Sequence, residues 1–363
     1  MFRNRMDNKF RALILYFCFA TVLLSLISDF SYLSLHKGKG NVIHSISMEQ
    51  PYFNRILNTR NRCNQIERHN YTIRSHRFKY DDHLQAVYCA TPKVASTAWK
   101  LLFLRLGSHI GDISIDDFRN LDYNDIPNTH FEQNVDETLA WFRLRNYMTF
   151  FITRHPFERL VSAFNDKLTS KTSVTPYRDR VGVMIAREQA GEYMQGLRYG
   201  TNIAYLPNWM VSKLPGIDKM NATQKQQVME YMRILRTGEI SFVQFVRYII
   251  KEYKEGRGDQ LDVHWLPQVK LCHPCQLNYD YIMRFETLAN DSSRLLEYLQ
   301  WDRKEDSKIK LSVQKSATQT EDTKVAFGQI SQDEIKILKE IYKEDFTLLG
   351  YNPDLYDVKP LAE

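Results

Sequence analysis

Two short stretches of this chain combine a cation with hydroxyls in an order suited to holding phosphate-like oxyanions. The first reads Pro92-Lys93-Val94-Ala95-Ser96-Thr97, and the second Arg154-His155-Pro156-Phe157-Glu158-Arg159-Leu160-Val161-Ser162-Ala163. In the first, Lys93 supplies a mobile positive charge just before Ser96 and Thr97. If a helix opens there, its unbonded N–H groups and positive dipole end add to the attraction. The glycines of a GxxxxGK[ST] loop are missing. In the second, Arg154 can fork an oxyanion bidentately, and Ser162 lies eight residues on, about two helical turns. Arg159 is open to two readings, a further anion contact or a surface ion pair with Glu158 or Asp166. Either stretch alone is compatible with ordinary helix capping. Together they suit a ligand with anionic groups at two places, such as a nucleotide.

Each stretch needs a strand that ends and a helix that begins. Residues 84–90 (LQAVYCA) read as a buried strand and 96–106 (STAWKLLFLRL) as the helix after it. Residues 147–153 (YMTFFIT) read as a second buried strand, followed by a helix from 157 to about 168 with Pro156 in its first turn. Further helices are expected over 223–235, 241–253, 291–299 and 331–346. Strands alternating with helices predict an α/β domain: a central, mainly parallel sheet flanked by helices on both faces. Residues 174–215 show no clear periodicity and read as a substrate-side insertion.

The 363 residues are 43% hydrophobic, 25% charged and 13% aromatic, which excludes a disordered, collagen-like or disulfide-dense mini-protein. A net charge of +6 is too small for a protein that coats nucleic acid. Residues 12–28 (ALILYFCFATVLLSLIS) carry no charge over 17 positions, about 25 Å of helix. Arg3, Arg5, Lys9 and Arg11 precede this run, so half of the net charge sits in the first eleven residues. That asymmetry predicts a single-pass membrane protein with its N-terminus in the cytosol and the remainder lumenal. The expected organisation is a cytosolic tail (1–11), a transmembrane signal anchor (12–29), a polar lumenal stem (30–78) and a catalytic domain (79–357).

Lumenal exposure agrees with three glycosylation sequons, at Asn70, Asn221 and Asn290. It also agrees with four cysteines outside the anchor: Cys63, Cys89, Cys272 and Cys275. These allow three complete pairings. Cys272-His273-Pro274-Cys275 has the spacing of half a zinc site, with His264 within reach, but no second CxxC exists and no metal is expected.

The two cation–hydroxyl stretches resemble the cofactor motifs of Golgi carbohydrate sulfotransferases. They are most similar to those of the chondroitin and dermatan 4-O-sulfotransferase group. His264-Trp265, the Leu271–Cys275 stretch, Tyr279-Asp280, Phe285-Glu286-Thr287-Leu288 and Lys315-Ser316 continue the resemblance in order along the chain. It implies a P-loop-like sulfotransferase fold in the Golgi membrane and the donor 3′-phosphoadenosine 5′-phosphosulfate (PAPS). Pro92, Lys93, Val94, Ala95, Ser96 and Thr97 would then hold the 5′-phosphosulfate, and Arg154 and Ser162 the 3′-phosphate, with Lys315 and Ser316 joining the donor site. Ser96 and Ala98 replace the cysteine and asparagine common in the group, and the stretch 170–235 matches poorly.

The implied acceptor is an anionic glycan, first O-4 of N-acetylgalactosamine in chondroitin or dermatan. The alternatives are O-3 of terminal glucuronic acid or N-acetylgalactosamine of N-glycans. Lys167, Lys171, Arg178 and Arg180 could face such a glycan or simply be solvated. Sulfuryl transfer needs a cation against the charge building on the leaving phosphate, a role that suits Lys93. It also needs a base for the acceptor hydroxyl. His130 resembles the base of related 2-O-sulfotransferases, His264 is its rival, and His155 reads as structural. A kinase or nucleotidase lacks support, since neither a Walker loop nor an acidic magnesium motif is evident. A catalytically inactive glycan-binding membrane protein of the same fold stays open.

Overall fold

The computed structural model describes residues 52–65, 73, 77–107, 136–169, 181–182, 184–185, 210, 213, 216–237, 239–299 and 317–357. His130, Lys315, Ser316, the uncharged run 12–28, Asn70, Lys171, Arg178 and Arg180 lie outside them. Among the described residues, no helix is long and apolar enough to cross a membrane.

Helix α1 (Tyr52–Cys63) comes first, then strands β1 (Phe78–Asp81) and β2 (Ala86–Cys89), helix α2 (Ser96–Leu106) and helix α3 (Glu137–Asn146). Strand β3 (Met148–Thr153) leads into α4 (Pro156–Phe164), which continues as a π-helical turn, Asn165–Thr169. After α5 (Ala222–Thr237), α6 (Phe242–Lys254) and the short α7 (Gln268–Cys272) comes β4 (Tyr281–Arg284). Helices α8 (Leu288–Tyr298), α9 (Ala317–Phe327), α10 (Gln332–Ile341) and α11 (Lys343–Leu349) close the order.

The strands lie in the order β1-β2-β3-β4. β2, β3 and β4 are parallel, whereas β1 pairs antiparallel to β2 across a tight turn. The sheet is therefore mixed, with its parallel part in the centre. Alternation along each strand gives both faces an apolar cover. Tyr88, Phe150 and Met283 point into one cluster with Trp99, Phe103 and Leu295. Cys89, Phe151 and Ile282 point into the other, with Phe157, Phe245 and Leu338. Phe150 is the hub of the first: its ring centroid lies 5.0 Å from that of Tyr88, 5.6 Å from Trp99 and 5.8 Å from Phe103.

Two expectations change. Residues 52–63, read above as stem, form α1, whose Tyr52, Ile56 and Thr59 are buried. The Thr59 hydroxyl donates to the Leu348 carbonyl, Arg55 pairs with the buried Asp291, and Cys63 is bonded to Cys275. The packed domain thus begins before residue 79. The single helix expected over 331–346 bends at Tyr342, where α10 gives way to α11. There the Tyr342 hydroxyl donates to the Trp265 carbonyl, and Asp345 accepts the N–H groups of Gln268 and Val269. These tertiary bonds override the local helical pattern.

Of the two described sequons, Asn221 is exposed and caps α5 through the Gln224 N–H, while Asn290 is exposed on α8 and donates to the Tyr52 hydroxyl. The cysteines pair Cys63–Cys275 and Cys89–Cys272. The CxxC is therefore divided between two disulfides, which leaves the zinc reading without its thiolates.

Replacing Phe150 with alanine removes a fully buried ring from this cluster. The expected loss is about 3–5 kcal/mol of unfolding free energy, read as a lowered denaturant midpoint.

Candidate active site

The loop after β2 reaches its shape without glycine. Lys93 and Ala95 both take left-handed backbone angles, with φ of 70° and 64°. Such residues alternating with an ordinary one tend to gather successive N–H groups into an anion-accepting concavity. Ala95 is the N-cap of α2 and offers no side-chain bond, and the first turn carries no acidic residue. Val94 anchors the loop in the core, while Ser96 and Thr97 open the helix. The positive end of α2 is thus left for an external anion.

The second stretch locks this loop in place. The Arg154 guanidinium donates to the Lys93 carbonyl at 3.0 Å and lies 4.3 Å from the Phe285 ring centroid. Its Nε is 3.7 Å from the buried Glu158 carboxylate, which accepts the Tyr356 hydroxyl. Arg159 is only 1% exposed. It donates to the carbonyls of Pro92 at 2.9 Å, Leu266 at 2.8 Å and Val263 at 2.7 Å. Neither reading of Arg159 from the sequence holds. It is a buried strut between two loops.

Lys93, Arg154 and Ser162 meet in one cavity of about 350 Å³, also lined by Glu158, Val161, Asn165, Asp166, Asp322 and Thr323. Lys93 Nζ and Lys167 Nζ each stand 3.2 Å from Asp166 Oδ2. Burial lowers the Lys93 ammonium below its ordinary range, opposed by Asp166. Burial pushes Asp166 up, but the charges and hydrogen bonds of the two lysines outweigh it and the net shift is down.

His155 caps α4: its Nδ1 accepts the Phe157 N–H, and Nε2 lies 3.0 Å from the Asn352 carbonyl. It is structural, in keeping with the sequence reading. His264 is half-buried, with Nδ1 2.7 Å from Asp262 Oδ1. Glu158, Asp166, Asp322 and Thr323 were not anticipated as cavity residues. For Asp166 a signal existed, since it falls on the same helical face as Ser162, four residues earlier.

A family model described as "Sulfotransferase family" matches residues 76–352, a span holding the whole cavity. The chain belongs to the sulfotransferase family. It is 31% identical to carbohydrate sulfotransferase 11 of Mus musculus over 288 residues, 76% of this chain and 67% of that protein. To carbohydrate sulfotransferase 10 of Rattus norvegicus it is 27% identical over 338 residues, 88% of this chain and 81% of that protein. Carbohydrate sulfotransferase 12 of Mus musculus is 26% identical over 289 residues, covering 75% and 59%. No solved structure matches the chain.

A sulfotransferase takes its sulfuryl group from PAPS, and the cavity fits such a donor. The Lys93 ammonium and the Arg154 guanidinium line one space of ligand-pocket size with Ser162, and the uncapped start of α2 follows Lys93 in the same loop.

Arg159→Lys leaves one ammonium to serve three carbonyls. The expected cost is about 3 kcal/mol or more of stability, since each charged hydrogen bond is worth roughly 1.5–3 kcal/mol. A surface ion pair would cost no more than about 1 kcal/mol. Chemical denaturation of the variant separates the two.

Proposed function

We propose that this sulfotransferase is a carbohydrate O-sulfotransferase of the Golgi membrane, single-pass with its catalytic domain lumenal. O-4 of N-acetylgalactosamine in chondroitin or dermatan is its first candidate acceptor. The observation that carries the reading is the cavity shared by Lys93, Arg154 and Ser162 inside a span that matches the family. The carbohydrate acceptor is supported by the relatives' names. Identities of 26–31% to three numbered members do not separate their acceptors, so the assignment to chondroitin or dermatan rests on the motif resemblance alone. Lumenal placement is supported by the two disulfides, which persist in oxidising compartments, and by the basic tail before the uncharged run 12–28.

In the proposed chemistry, Lys93 and the N-terminus of α2 hold the phosphosulfate, and Arg154 and Ser162 hold the 3′-phosphate. Pro92 supplies the carbonyl that Arg159 fastens, Val94 the core anchor, and Ala95, Ser96 and Thr97 the helix start. Lys315 and Ser316 are assigned to the donor on the resemblance. PAPS contributes the activated sulfuryl group that an acceptor hydroxyl attacks. Lys93 neutralises the charge that builds on the leaving phosphate. His130 is assigned as the base that takes the hydroxyl proton. The second candidate, His264, has a structural argument of its own. It stands between Val263 and Leu266, whose carbonyls Arg159 binds together with that of Pro92.

Purified enzyme with labelled PAPS should sulfate one member of a panel of chondroitin, dermatan, heparan and N-glycan acceptors, and disaccharide analysis gives the position. Lys93→Ala should lower kcat/KM by about a hundredfold or more. No transfer to any member would sink the proposal. His130→Ala should lose about 10²–10⁴-fold in kcat. If His264→Ala does so instead, the base is His264.

Donor affinity should fall as pH rises. The fall should begin below the ordinary lysine value of 10.5, because burial lowers Lys93 and only its charged form attracts phosphate. Titration of adenosine 3′,5′-bisphosphate across alkaline pH checks this.

A further inference from the structure

The donor cavity contains an anion of its own. Asp166 sits on the π-helical turn Asn165–Thr169, which interrupts the end of α4 beside Ser162. Such interruptions occur often at functional sites. One carboxylate oxygen of Asp166 serves two ammonium groups at equal distance, 3.2 Å to Lys93 and 3.2 Å to Lys167. The charged groups around Lys93 come from four places: Arg154 between β3 and α4, Glu158 on α4, Asp166 and Lys167 on the turn, and Asp322 on α9. Glu158 is engaged by Tyr356 and lies against Arg154. The pairing Lys93–Asp166 is therefore a contact with which an incoming oxyanion competes for the ammonium. Lys167 gives Asp166 a second partner that survives the loss of Lys93.

We propose that Asp166 is a positioning residue for Lys93, holding its ammonium in the cavity between turnovers and yielding it to the donor's anionic group while keeping Lys167. The proposal rests on the reading of Lys93 as a donor-binding residue. Asp166 acts through Lys93 and touches no reacting atom. Its carboxylate competes with the nucleotide on binding and helps to displace the product bisphosphate afterwards. A residue that merely braced the turn would weaken nucleotide binding when changed. A competing anion does the reverse when its charge is removed.

The test is calorimetric titration of the full-length protein with adenosine 3′,5′-bisphosphate. Asp166→Asn keeps the size of a side chain that is 43% exposed and removes its charge. The expected result is tighter binding, by about two- to fivefold, the scale of a partly exposed ion pair. Asp166→Glu should restore the wild-type affinity. Unchanged or weaker binding by Asp166→Asn overturns the proposal, provided that Lys93→Ala weakens binding in the same assay. If Lys93→Ala leaves affinity unaltered, the donor reading of Lys93 itself has failed, and the role of Asp166 falls with it.

Discussion

A guanidinium sealed inside a protein keeps its charge only when acceptors surround it, and at Arg159 the acceptors are main-chain carbonyls from two different loops. Burial pulls the pKa of this group down, and the carboxylate of Asp345 opposes that pull. Asp345 is itself buried against the start of α7, where it accepts the N–H groups of Gln268 and Val269. The loop after β2, the turn 263–266 and the C-terminal helices are thus held by one buried arrangement of opposite charge. Removing either member would leave the other uncompensated in the core.

That arrangement explains how the loop after β2 keeps its shape without glycine. Non-glycine residues in the left-handed region cost on the order of 1–3 kcal/mol each and persist where the surroundings over-determine them. Here the determination comes from the second motif: Arg159 holds the carbonyl of Pro92, and Arg154 that of Lys93. The two stretches therefore form one machine. The arginines of one set the backbone of the other, and that backbone leads directly into the uncapped start of α2.

Much of this was legible in the sequence because it follows from patterns that side chains carry. The bounds of α2 match the expected 96–106, and β2 and β3 lie within the expected strands. The cavity unites Lys93, Arg154 and Ser162, which were singled out by type and position. The remainder depended on main-chain partners or on length. β1 and β4 have only four residues each, too few for alternation to stand out. Helix α3 buries only Ala140, Arg143 and Leu144, which makes no apolar stripe. Arg159 looked like a surface cation because carbonyl acceptors leave no mark on a sequence. Asp166 was read only as an ion-pair candidate for Arg159, although its spacing from Ser162 marked the same helical face, and its sharing between two lysines lies on the π-helical turn.

The two disulfides meet on the segment 272–275, one reaching back 183 residues to Cys89 and the other 212 residues to Cys63. During synthesis neither N-terminal thiol has its partner until almost three-quarters of the chain has been made. At roughly 5–20 residues per second, Cys63 waits on the order of tens of seconds with Cys89 as the nearest available thiol. In an oxidising compartment the nascent chain would therefore be exposed to a premature Cys63–Cys89 bond, and maturation there would call for an exchange catalyst that can undo it once residue 275 emerges.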